Sequence, residues 1–178
     1  MRTLTLALGF CVLLAACVAE EPRVAGTSGV EALLTDPRFE TVKPGPNAVE
    51  ALDALMIFDR VCVETHPSLA RAEKAVRAMP FQQNPASGTY YHRTLDLSIK
   101  LVKENKGACS MVFVSTEKER LGITLLFAAA VSTTGSVGVD VEADAATSTG
   151  PGNSEFVIFP VGKKGNRTYF HAVLSPAN

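Results

Sequence analysis

Three histidines, two mid-chain cysteines and an acidic triplet are the residues of this chain whose types could do chemistry. His66 precedes Pro67 in a loop-like stretch, and His171 falls in a late alternating segment, where it reads as a sheet-face residue. His92 is the more informative. It follows Tyr90 and Tyr91 and precedes Arg93, and strand alternation predicts it on a polar face with Thr94, Asp96 and Ser98. None of the three stands in the HExxH spacing of a zinc site, and no Gly-x-Ser-x-Gly elbow presents a nucleophile. A hydrolase using His92 with Asp96 and a serine is therefore the weaker reading. Against it stands a plain solvated sheet face. The functional version is a binding face of Tyr90, Tyr91, His92 and Arg93, which offers stacking and hydrogen bonds. No catalytic residue, metal ligand set or cofactor motif is assigned.

Two charged clusters complete the inventory. Asp140, Glu142 and Asp144 are predicted on one side of a strand, about 7 Å apart. Calcium needs about six to eight oxygens, usually from a looped backbone, so solubility explains them better. Lys163, Lys164 and Arg167 crowd a hairpin tip and could meet phospholipid headgroups or an acidic partner. With a net charge of −1 the chain lacks the basic surface that nucleic acid requires, so no nucleic-acid partner is expected.

The N-terminus carries an address. Arg2 gives a positive start, and residues 4–14 carry no charge. This apolar run is too short for a bilayer span, which needs roughly 20 residues, and matches a secretory signal. Ordinary cleavage after Ala16 would place Leu14 three residues back, a poor fit; cleavage after Ala19 would use Cys17 and Ala19. The sequence Leu14-Ala15-Ala16-Cys17 resembles the bacterial lipobox. The resemblance implies that residues 1–16 are a lipoprotein signal peptide and that Cys17 is acylated on sulfur and at its new amino group. Two or three acyl chains hold a protein firmly in a bilayer, where one holds it only marginally. Val18, where an Asp would favour inner-membrane retention, implies sorting to the outer membrane with the protein facing the periplasm. Plain secretion is the competing reading.

Residues 17–46 then read as the lipidated cysteine and a tether rich in Pro, Gly, Thr and charge, with an apolar island at Val30, Leu33 and Leu34. Residues 47–178 form one domain. Cys62 and Cys109 are the pair that remains in it, in a compartment that permits disulfides. Two buried free thiols are the alternative.

Spacing predicts the elements that position these residues. A capping box of Asn47 and Glu50 should open a first helix, with Val49, Leu52, Leu55, Met56 and Phe58 along it and Cys62 near its end. Ser68 should open a second helix, buried through Leu69, Ala72, Val76 and Met79, and Pro80 should stop it. Leu95, Leu97, Ile99 and Leu101 alternate with polar residues as a strand, Asn105-Lys106-Gly107 turns, and residues 108–115 return with Cys109 inside. A second capping box, Thr116 and Glu119, should open a helix through Ala130. Val137, Val139, Val141 and Ala143 alternate, residues 147–153 read as a loop, and residues 155–161 and 167–174 form a hairpin. The expected fold is α+β: an antiparallel sheet of about five strands with helices on one face. Its later half is similar to PAS-like and profilin-like domains in element order alone. The expected function is that of a cell-envelope lipoprotein whose domain binds another envelope protein or glycan. The alternatives are the His92 hydrolase and a small-ligand sensor or carrier.

Overall fold

The computed structural model describes residues 42–103 and 107–177. The signal peptide, Cys17, the apolar island of the tether and Asn105-Lys106 lie outside the described residues.

Helix α1, Ala51–Phe58, winds on into a π-helical turn, Asp59–Val63. Its start differs from expectation. Asn47 does not cap it but forms a parallel bridge with Leu95, donating to the Thr94 carbonyl at 3.2 Å and accepting from the Asp96 N–H at 2.6 Å. Glu50 takes the N-cap position without a side-chain bond, and the Ala51 N–H donates to Glu117 Oε1 at 2.7 Å. A distant carboxylate thus replaces the local box. Leu52 and Met56, expected inside, are exposed; Ala51, Ala54, Leu55 and Phe58 are buried instead. Helix α2, Leu69–Arg77, starts as predicted: the Ser68 hydroxyl accepts from the Arg71 N–H at 3.3 Å, and Ala72 and Val76 face inward.

The strands are β1 (Phe81–Gln83), β2 (Tyr90–His92), β3 (Leu97–Val102), β4 (Ala108–Ser115), β5 (Val137–Asp140), β6 (Ala145–Thr149), β7 (Glu155–Lys164) and β8 (Arg167–Ser175). Helix α3, Arg120–Val131, separates β4 from β5. Here too the predicted box is absent: Glu119 is the N-cap and makes no side-chain bond. All eight strands join one antiparallel sheet in the order β1-β2-β3-β4-β8-β7-β6-β5. The class is α+β, and the sheet has eight strands rather than about five. The additions are the short β1 and β2, and β6, which occupies part of the expected 147–153 loop. The alternation at 137–143 breaks after Asp140, whose Oδ1 accepts from the Glu142 and Ala143 N–H groups at 3.1 Å and closes a turn.

The core lies between the three helices and one face of the sheet. Phe58 of α1, Phe127 of α3, Phe113 of β4, Phe156 of β7 and Phe170 of β8 are essentially inaccessible. Phe113 stacks on both Phe127 and Phe170 with ring centroids 5.2 Å apart. Cys62, in the π-helical turn, is disulfide-bonded to Cys109 of β4, with Cα atoms 5.5 Å apart. The bond ties the first helix to the sheet.

The chain approaches α1 along the end of the sheet where β3 begins and β4 ends. The Gly45 N–H donates to the His92 carbonyl at 2.9 Å, and a Cβ at Gly45 would fall 2.1 Å from the Thr94 carbonyl carbon. Only glycine permits that approach. The Arg167 guanidinium donates to the Pro46 carbonyl and lies 3.6 Å from Asp96.

Candidate binding face

Strand alternation sorts the expected binding residues onto opposite faces. Tyr90 and His92 point into the core and are 3% and 7% exposed. Tyr91 points the other way and is half-buried, and Arg93 is exposed beyond the strand. The four therefore do not form one face. Tyr90 anchors α2: its hydroxyl donates to Glu73 Oε1 at 3.2 Å, and the Arg77 guanidinium sits 5.6 Å from its ring centroid. His92 packs edge-on against Phe81, and its Nδ1 accepts from the backbone N–H groups of Thr94 and Leu95 at 3.3 and 3.1 Å. Burial lowers its pKa, and the acceptor role of Nδ1 requires the neutral ring. It is a turn-fixing residue: with Nδ1 accepting, the neutral ring carries its proton on Nε2 and keeps no lone pair free to act as a base.

A different set of residues meets on the face of the sheet opposite the one that the described helices cover. One row crosses five strands: Phe159, His171, Val112, Ser98 and Tyr91 stand opposite one another in register. A neighbouring row runs Val157, Val173, Ser110 and Lys100, and Tyr169 extends the patch next to His171 along β8. Val112, Val157, Phe159, Tyr169, His171 and Val173 are all half-buried. An antiparallel sheet with one face to water ordinarily shows polar residues there. In its central strands, this one shows valines and aromatic rings.

His171 is the polar centre of the patch. Its Nε2 lies 2.7 Å from Ser110 Oγ, and its ring is 5.4 Å from that of Phe159. Burial lowers its pKa, so the imidazole is neutral at pH 7. A serine beside a histidine suggests acyl transfer, but the surroundings differ from those such chemistry uses. Among the described residues no carboxylate bonds the other ring nitrogen, and the neighbouring strand N–H groups face ladder partners across β4 and β8. The pair serves instead as a hydrogen-bonding centre in an apolar surface. Sequence reasoning placed His171 on a sheet face but could not pair it with Ser110, because 61 residues separate them.

The remaining candidates disperse. Asp144 has a left-handed φ of 50° and pairs with Arg120 at 2.8 Å, while Asp140 closes its turn, so the acidic triplet does not converge. No cluster of three metal-ligating side chains occurs among the described residues. His66 is half-buried beyond α1, and burial lowers its pKa. No helix among the described residues is long and apolar enough to cross a membrane.

Comparison with protein-family models gives no match, and neither does comparison with curated proteins or with solved structures.

Proposed function

We propose that this protein is a cell-envelope lipoprotein, anchored through acylated Cys17 and facing the periplasm from the outer membrane, whose domain binds a second envelope protein. The single observation that carries the binding role is the apolar sheet face around Val112, Phe159, Tyr169, His171 and Val173, which none of the described helices covers. Contiguous, partly exposed apolar area of this kind on a folded domain suits a contact surface. Its composition suits a protein partner better than a glycan. Aromatic rings and valines supply desolvated area, and the Ser110–His171 pair supplies a central polar contact. The anchor rests on the lipobox resemblance and the tether that follows it.

The test is site-specific photocrosslinking in intact cells. A photoreactive residue at position 159 or 173 should give a discrete adduct with one envelope protein, and the same residue at the exposed Asp53 of α1 should give none. Equal, diffuse labelling from all three positions would refute the face as the contact surface.

A further inference from the structure

We propose that the cleft between the β4–α3 connection and the β7–β8 hairpin binds a phosphate group. This open cleft, of about 480 Å³, is formed by Thr116, Lys118 and Arg120 on one side and Lys163, Asn166 and Thr168 on the other, with Glu117 at its edge. Three observations carry the assignment.

The first is Thr168. It stands opposite both Ser115 and Lys163 on the helix-bearing side of the sheet and is only 4% exposed. Its side chain lines the cleft, where its hydroxyl can meet a ligand. The second is charge. Among the described residues neither the Lys118 nor the Lys163 ammonium has a carboxylate within ion-pair distance. Glu117 already accepts from the Ala51 N–H at 2.7 Å, and Arg120 is paired with Asp144 at 2.8 Å. Lys118, Lys163 and Arg120 still outnumber the two acids. The third is the donor set: ammonium groups, an amide and two hydroxyls line the cleft from two elements. A tetrahedral, acceptor-only dianion or phosphodiester satisfies donors arriving from several directions.

The cleft's position names the source to test first. Arg167, next to Thr168, holds the Pro46 carbonyl, so the segment leading from the tether is fixed at this end of the domain. If the chain is anchored as proposed, a lipid headgroup phosphate is the nearest ligand; that part alone rests on the anchored reading.

The experiment uses the mature chain from residue 17 with Cys17→Ser, so that no acyl chain contributes. Inorganic phosphate is titrated calorimetrically, and flotation is compared on phosphatidylglycerol and on pure phosphatidylcholine vesicles. Phosphate should bind saturably, one per chain, and Lys163→Glu should weaken it about tenfold. Thr168→Val, which keeps the shape, should weaken it about fivefold while circular dichroism and the melting temperature stay unchanged. Flotation on phosphatidylglycerol that both variants abolish identifies a headgroup as the source. Flotation that neither changes, with solution binding intact, identifies a soluble phosphate ester, and the cleft stands. Absence of saturable phosphate binding, or phosphate binding that Lys163→Glu and Thr168→Val both leave unchanged, would overturn the proposal. The anchored reading fails separately, through the mass of the extracted chain.

Discussion

His92 shows how a residue's burial decides its role. The ring sits against Phe81, with Nδ1 accepting two backbone N–H groups. Burial lowers the pKa of His92, of His171 and of His66 below the ordinary 6.5. The unfolded chain therefore takes up protons at a higher pH than the folded one. The contribution to stability is fully present above about pH 6.5 and is lost as pH falls through the depressed folded values. The melting temperature should drop as pH is lowered from about 7 to 5. His92→Gln, whose amide oxygen accepts without titrating, should flatten that drop. An unchanged pH slope in this variant would show that His92 is not one of the groups responsible. Little of this was legible in the sequence. Alternation was read correctly for Leu97 and Ile99, but Tyr90 and His92 belong to a three-residue strand, too short to reveal which face is buried.

At the scale of elements, the readings that succeeded rest on local chemistry. Ser68 caps α2, Ala108–Ser115 is β4 with the predicted bounds, and the last hairpin forms from β7 and β8, turned at Gly165 with a left-handed φ of 63°. The readings that failed depend on distant partners. Asn47 and Thr116 have the residue types of helix caps, yet Asn47 is drawn into a bridge with Leu95, Glu119 takes the N-cap position of α3, and the carboxylate that meets the first turn of α1 comes from Glu117. Strand β6 is rich in Ala, Ser and Thr and becomes a strand because β5 and β7 flank it. The Cys62–Cys109 bond spans 47 residues. Closing such a loop is worth about 4 kcal/mol in the chain-entropy model. Reduction should accordingly lower the melting temperature by about 10 °C, read by thermal denaturation with and without a reductant. A midpoint that does not move would mean the bond is absent or contributes nothing.

At the scale of the molecule, the eight-stranded sheet divides the labour of its two faces. One holds α1, α2 and α3 over a phenylalanine core, and the other presents Val112, Phe159, Tyr169, His171 and Val173 with none of the described helices above them. The chain enters at the end of the sheet where Gly45 and Pro46 are fixed, beside the hairpin whose Thr168 lines the cationic cleft. A partner surface and a phosphate cleft both gain from being held near a membrane, and the lipid at Cys17 would do that. The most direct measurement is therefore the intact mass of the detergent-extracted protein, with and without reduction and alkylation. The account predicts a chain beginning at Cys17 with added diacylglyceryl and acyl mass, and two thiols that react only after reduction. A chain beginning at Glu20 or Met1 without lipid would contradict it.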